Sequence, residues 1–564
     1  MINSMVKTVL QNVTIRDVLE AINKKYGTNP ALRIRTKEGR LKEISYVKLG
    51  RRVVTVSSAL MELGIKKGDR IAILSGNRPE WALAYFGVIS CAGIVVPIDV
   101  KLSVKEIQFI MNDSRAKCVF VSAKYLPVID ELKMVLPSLE HVILLDKSDR
   151  SDVILLKNLS RYKGSQRGLM VYPDDTSLVV YTSGTTGVAK GVEISYRNLL
   201  FQALVFSEII HSSPSDNLLS VLPLNHMLEI TGGLMAPLYG GACVTYSDSL
   251  KPEALLSLMK ETKTTAMICV PLVLKLLHGG IMRKIGRLSP AKQRAFAAAL
   301  ALSRALLRLN IRSGKAFFPA IHNEFGGHLR GFISGGAPLD GDIETDLNAL
   351  GFRVLQGYGL TETAPVISVN TFNENKLGSV GKPLPGVEVK ILKKNNFSRE
   401  GEIITRGPHV MKGYYNNPGK TAETIKDGWL HTGDIGYFDR DNFLHISGRI
   451  KNLIALGTGK KVFPEEVEAV MGKSPYIKEI LVAGRIAGGG IRKGHEEIYA
   501  VVVPDLEVFG DRETPDRESI KKKIASELTR LGKNLAGYKR ITNFELRFEE
   551  FPKTVTQKIK RKNG

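Results

Sequence analysis

Short apolar, β-branched runs alternate with helical patterns through most of this chain. Arg70–Leu74, Ala116–Val121, Leu178–Tyr181 and Ala266–Val270 each have the length and content of a buried strand, and amphipathic stretches separate them. The alternation predicts an α/β protein with largely parallel, buried strands. Trp81–Ile98 carries no charge and is about the shortest length that spans a bilayer. Gly93 and Pro97 interrupt it, however, and Ile94-Val95-Val96 is β-branched, so the pattern predicts a buried helix that turns at Gly93 into a buried strand.

From Gly378 the texture changes. Glycine and proline become dense in GSVGKPLPGVEVKI and GEIITRGPHVMKGYYNNPG, which predicts a β-rich subdomain over about 378–449. A boundary at 449/450 leaves a C-terminal stretch long enough to fold by itself. Within it Glu497–Val503 reads as a strand. Asp516–Leu535 reads as a helix with Ile520, Ile524, Leu528, Leu531 and Leu535 on one face.

Composition narrows the class. The chain has 564 residues, 43% hydrophobic and 24% charged, as in ordinary multi-domain globular proteins. Lys and Arg total 80 against 56 Asp and Glu, a net charge of +24, which favours anionic partners. No basic–aromatic single-strand motif or helix-turn-helix accompanies the charge, so no nucleic acid is expected. Cys91, Cys118, Cys243 and Cys269 are scattered with no Cys-x-x-Cys pair, which argues against a disulfide framework or a structural zinc site. The N-terminus lacks the apolar core of a signal peptide, and a cytoplasmic location is expected.

The most informative segment is LVVYTSGTTGVAKGVEISYRNLL, Leu178–Leu200. A buried strand runs into Thr182-Ser183-Gly184-Thr185-Thr186-Gly187, followed by Lys190-Gly191. Glycines let successive backbone N–H groups converge, the hydroxyls add donors, and the lysine adds a point charge. Such a loop suits a polyphosphate. It is not a Walker A loop, because Ala189 stands where the second glycine should be and Gly191 follows Lys190.

The string resembles the phosphate loop of the AMP-forming acyl-CoA synthetases in the ANL adenylate-forming superfamily. The remaining motifs follow in family order: LPLNHMLE (222–229), SGGAPL (334–339), GYGLTET (357–363), GPHVMKGYYNNP (407–418), HTGDIG (431–436), GRIKNLIALGTGKKVFPEEVE (448–468) and PKTVTQKIKR (552–561). The resemblance implies an α/β adenylate-forming fold. Residues 1–449 would form a large multi-subdomain N-terminal adenylation domain, and 450–564 a smaller, mobile α+β C-terminal domain. It implies ATP, a carboxylic acid and CoA as substrates and Mg²⁺ as cofactor, with an acyl-AMP intermediate.

Residue by residue, the resemblance implies that Thr182, Ser183, Gly184, Thr185, Thr186, Gly187 and Lys190 cradle the phosphates. Glu362 would bind magnesium and Thr361 the α-phosphate. Tyr358 would stack on adenine, lined on its other side by Gly335, Gly336 and Ala337. Asp434 would hold the ribose hydroxyls and Arg449 orient the ribose. Lys451 falls at the hinge, and Lys558 matches the adenylation lysine, preceded by Gln557 where relatives often have glycine. Gly457-Thr458-Gly459 would face the active site in the thioester step. His226, Gly232 and Gly233 mark the acyl pocket, the glycines leaving room for a tunnel.

Between the pocket segment and SGGAPL, residues 281–330 hold ten Lys or Arg and a single acid, Glu324. The pattern predicts a helix with Arg304, Arg308 and Arg312 on one face and Leu302, Leu306 and Leu309 opposite. A basic amphipathic helix suits peripheral contact with an anionic membrane, here the inner face. A longer insertion here resembles the long-chain fatty-acid activators. The favoured expectation is therefore a long-chain fatty acid–CoA ligase. The alternative is an acyl-AMP or acyl-ACP ligase that passes the acyl group to an acyl carrier protein.

Overall fold

The computed structural model describes residues 14–164, 169–182, 189–247, 249–393, 398–456, 460–486, 496–509, 516–553, 559 and 561. Packing divides the chain into two compact units: Met1–Val389 with Thr405–Leu430, and Lys390–Ile404 with His431–Gly564. The second unit takes in strand segments that the sequence pattern groups with the N-terminal domain. Strands Trp429–Phe438 and Leu444–Arg449 pair antiparallel, so the chain ahead of 450 is held by strand pairing. The packing units are therefore not continuous in sequence: residues 390–404 belong with the second unit and 405–430 with the first.

Among the described residues, two large sheets lie in the first unit. In the eight-stranded sheet, Arg70–Leu74 lies between Ile94–Ile98 and Cys118–Val121 in parallel. Beside Ile94–Ile98 runs Thr176–Thr182, which returns antiparallel as Lys190–Ser195. The uncharged stretch is the helix Pro79–Ser90, with Trp81, Tyr85 and Phe86 buried, followed by the fully buried strand Ile94–Ile98. Among the described residues no helix is long and apolar enough to cross a membrane.

The nine-stranded sheet carries parallel strands Cys243–Tyr246, Asn217–Ser220, Ala266–Cys269, Gly331–Ser334 and Arg353–Gly359, adjacent in that order. Ser220 is in register with Tyr246 and Ile268, and Ser334 with Cys269 and Gln356, so their carboxyl ends line up along one edge. Open α/β sheets take ligands at that edge.

The second unit has its own core. Strand Ile477–Ile486 pairs antiparallel with Glu496–Pro504, which pairs in parallel with Asn543–Leu546. Helix Arg517–Gly532 packs Ile520, Ile524, Leu528 and Leu531 onto Val482, Ala500 and Val502. The strand and helical face read from the sequence are both present.

The basic segment differs from its expected geometry. Helix Pro290–Arg308 ends before Arg312, so that residue is not on its face. Arg304 pairs with Asp346 of helix Gly341–Ala349, whereas Leu302 and Leu309 are 52% and 72% exposed. Leu300 and Ser303 are the buried contacts of this helix, and Ser303 Oγ donates to the Ala349 carbonyl at 2.6 Å. One arginine of the expected basic face is thus tied to a distant acid, while two leucines of the expected apolar face lie in solvent.

Candidate active site

Strand pairing builds the phosphate segment's flanks. Thr182 stands opposite Lys190 as the last register pair of their hairpin strands, and both are half-buried. Ser183, Gly184, Thr185, Thr186 and Gly187 lie outside the described residues.

The nucleotide motif sits at the carboxyl edge of the nine-stranded sheet. Strand Gly331–Ser334 ends in Gly335 and Gly336, and Gly336 has φ +83°, a left-handed turn that glycine makes without strain. A Cβ on Gly335 would stand 3.2 Å from Leu228 and 3.6 Å from the Gly357 carbonyl. The adenine turn, the pocket segment and the GYGLTET strand therefore meet there. Gly359 admits no side chain, because a Cβ would overlap the Pro365 carbonyl. Tyr358 is half-buried against the core, and Ala337 follows the turn.

After Gly359 the chain makes a tight turn, Thr361–Thr363. The Thr363 hydroxyl lies 2.9 Å from the Leu360 amide, from which it accepts, and 2.8 Å from the Pro365 carbonyl. Gln202, fully buried on helix Tyr196–Ile209, donates to the Thr363 and Val366 carbonyls. Thr361 and Glu362 are left half-exposed on this braced turn. Tyr414 Oη donates to Glu362 Oε1 at 2.9 Å, and the Met411 amide donates to the Glu362 carbonyl.

No group of three metal-ligating side chains occurs among the described residues. A single braced carboxylate suits Mg²⁺, which takes most of its ligands from substrate phosphates and water. Glu362 therefore fits the expected ion.

The pocket segment is clamped from the other sheet. Asn77 Nδ2 donates to the Leu222 carbonyl at 2.5 Å, and Asn77 Oδ1 accepts from the Leu224 amide. The His226 carbonyl accepts from the amides of Glu229 and Ile230. Burial lowers the pKa of His226, and its Nε2 has no hydrogen-bond partner among the described residues. Beyond it, Glu229–Met235 is a π-helix with every residue buried.

Gly232 and Gly233 do not face open space. A Cβ on Gly232 would meet Ile268 at 2.8 Å and Phe206 at 3.1 Å, and one on Gly233 would overlap the Glu229 carboxyl. These glycines serve close packing, which corrects the expected tunnel beside them.

In the second unit, Asp434 and Arg449 face each other across paired strands. Asp434 is 5% exposed, and its backbone amide donates to Thr432 Oγ1. Lys451 is exposed on the short turn Ile450–Asn452. Lys558 and Gly457-Thr458-Gly459 lie outside the described residues. On either side of Lys558, Lys553 bridges to Ile559 and pairs with Glu479 and Glu550, and Arg561 donates to Glu468 and to the Val482 carbonyl.

Sequence reasoning did not single out Glu229, Tyr414, Gln202 or Asn77. Glu229 and Tyr414 lie inside the quoted strings LPLNHMLE and GPHVMKGYYNNP, so motif membership was an available signal. Gln202 and Asn77 act through backbone groups distant in sequence and leave no local signal.

Fold and site together define an AMP-forming acid–thiol ligase of the α/β adenylate-forming class. The chain belongs to the AMP-binding enzyme family, whose profile matches residues 19–415. It is 30% identical over 559 residues to the peroxisomal long chain acyl-CoA synthetase 6 of Arabidopsis thaliana, covering 92% of this chain and 77% of that one. It is 28% identical over 593 residues to the chloroplastic long-chain-fatty-acid–[acyl-carrier-protein] ligase AEE15 of the same plant, covering 91% and 79%. Among solved structures it is similar to ATP-bound MatB from Rhodopseudomonas palustris, with TM-score 0.75, 26% identity and 97% of each chain covered.

Proposed function

We propose that this protein activates a long-chain fatty acid as its acyl-AMP and transfers the acyl group to CoA. The observation that carries the reading is the similarity to a long chain acyl-CoA synthetase over 92% of the chain. In the first step a carboxylate oxygen attacks the α-phosphorus of ATP, the bond to the β-phosphate bridging oxygen breaks, and pyrophosphate leaves. In the second the CoA sulfur attacks the acyl carbon, AMP leaves, and the thiol proton passes to solvent. A carboxylate is a poor acyl donor, whereas its anhydride with AMP carries a good leaving group.

The chain's task in the first step is to bring two anions together. Thr182, Ser183–Gly187 and Lys190 hold the β- and γ-phosphates, and Thr361 contacts the α-phosphate. Gly335, Gly336, Ala337 and Tyr358 take adenine, while Asp434 and Arg449 take ribose. Glu362, steadied by Tyr414, is the residue that would hold Mg²⁺, which when bound supplies charge neutralisation across the phosphates. Lys558 offsets the charge developing at the α-phosphate, a contribution of the kind that dominates such displacements. His226 is a wall of the acyl site; burial keeps it neutral near pH 7. For the thioester step the C-terminal domain turns about Lys451 and brings Gly457-Thr458-Gly459 forward.

Exposed Leu302, Leu309 and Ile311, beside Arg308 and Arg312, support peripheral contact with an anionic bilayer. Similarity to an acyl-carrier-protein ligase supports a carrier protein as the alternative acceptor. One panel tests the reading: acids from acetate to arachidate, scored for AMP release with and without CoA or acyl carrier protein. CoA-dependent AMP release on long-chain acids is expected. Release confined to acetate, or requiring the carrier protein, would overturn it.

A further inference from the structure

Among the described residues, Ile477–Ile486 is an edge strand of the three-stranded sheet in the second unit. An edge strand presents backbone donors and acceptors that need partners. At Val482 both are taken. Its amide donates to Glu468 Oε1 at 2.7 Å, and its carbonyl accepts from Arg561 Nη1 at 2.6 Å. Arg561 Nη2 donates to both oxygens of Glu468, each at 2.6 Å. Helix Pro464–Met471, the edge strand and the C-terminal segment thus meet in one closed ring of hydrogen bonds. The Arg561 and Glu468 side chains are 23% and 19% exposed, so the pair escapes much of the solvent screening that makes surface ion pairs weak.

The same strand holds the chain on the other side of Lys558. Lys553 pairs with Glu479 and Glu550, and the amide of buried Phe551 donates to Glu479 Oε2 at 2.9 Å. Lys553 and Ile559 bridge antiparallel. Glu479 and Val482 lie about 10 Å apart along their strand, so the chain that carries Lys558 is tied on both sides to one rigid element. A cation that offsets charge at the α-phosphate acts only from the right place, and a misplacement of about 1 Å can cost about 10²-fold. Arginine suits the second tie, because its planar fork reaches the carboxylate and the carbonyl together, which the point charge of a lysine does not.

We propose that Glu468 is a positioning residue for acyl-AMP formation: through Arg561 it anchors the segment that carries Lys558 on the edge of the C-terminal sheet. The inference rests on the fatty-acid ligase reading and deepens it by giving the adenylation lysine its support. Glu468 acts only through Arg561, and the thioester step, in which Lys558 takes no part, does not need it.

The test measures the two half-reactions separately: pyrophosphate release with ATP and palmitate, and thioester formation from preformed palmitoyl-AMP. Glu468→Gln should lower kcat for pyrophosphate release about 10- to 100-fold, with KM for ATP unchanged and the thioester step largely kept. Added to Lys558→Ala, Glu468→Gln should cost nothing further, because a support has no effect once the group it supports is gone. Glu466→Gln weakens a different ion pair of the same helix, that with Lys539, and should leave both half-reactions unchanged. Arg561→Lys keeps the charge without the fork and should show the same split as Glu468→Gln; it decides the matter if Glu468→Gln fails to fold. Equal loss in both half-reactions, a full further loss on top of Lys558→Ala, the same split in Glu466→Gln, or no loss in a folded Glu468→Gln would overturn the proposal while leaving the fatty-acid reading standing. Absence of pyrophosphate release by the wild type on every acid would overturn that reading, and this inference with it.

Discussion

Arg449 Nε donates to Asp434 Oδ1 at 2.6 Å from the opposing position of an antiparallel strand pair. The carboxylate is buried and the guanidinium half-exposed, so the arginine holds one oxygen of an acid that has little access to water. Asp434→Ala removes the proposed ribose acceptor and the arginine's partner together. Hydrogen bonds to charged groups contribute about 1.5–3 kcal/mol, which corresponds to roughly a 10- to 100-fold rise in KM for ATP. Steady-state kinetics with ATP varied checks this, and an unchanged KM would remove Asp434 from the nucleotide site.

Tyr414→Phe removes a single oxygen, the hydroxyl that donates to Glu362. Groups that orient a ligand typically matter about 10- to 100-fold in metal affinity. The Mg²⁺ concentration needed for half-maximal pyrophosphate release should rise accordingly, with KM for the acid unaltered. A Mg²⁺ titration that overlays the wild type would show that Glu362 needs no such support.

Lys558→Ala should slow acyl-AMP formation by on the order of 10²–10³, while conversion of preformed acyl-AMP to the thioester is largely kept. Lys451→Pro should do the reverse, because it obstructs the turn between the two steps. Equal damage to both half-reactions in either variant counts against the division of labour.

Leu302→Asp with Leu309→Asp should weaken cosedimentation with vesicles containing phosphatidylglycerol, leaving turnover on a short soluble acid intact. Added salt should weaken binding further through the basic residues nearby. Binding that ignores both changes would place the contact elsewhere.

Stability should depend on pH through Glu229. Unfolded, its carboxyl ionises near 4.5; folded, it keeps its proton until about pH 8. Between those values the folded state binds the extra proton, so this group's effect on stability becomes less favourable as pH rises. Glu229→Gln removes that dependence. Its melting temperature relative to the wild type should therefore climb from about pH 5 to about pH 8. Parallel melting curves across that range would mean the acid is not buried as described.

Local pattern carried much of the architecture. The uncharged run at 81–98 gave its helix and strand because burial on all sides is written in the absence of polar residues. The face of helix 517–532 was equally plain from its spacing. What local pattern missed depends on partners far along the chain. Nothing near Arg304 announces its partner Asp346, and nothing local says that the helix stops at Arg308, short of Arg312. Gly232 and Gly233 looked like empty space because a sequence does not say what fills the gap a glycine leaves. The motif positions were legible, but the bracing by Gln202 and Tyr414 emerged only with tertiary structure.

Gly359 lies where the Pro365 carbonyl crosses the strand. Any library that randomises the 357–363 segment should return glycine there under selection for expression alone, before substrate is ever supplied. Its invariance across survivors would report on foldability, and the chemically informative variation must be sought at its neighbours Tyr358, Thr361 and Glu362.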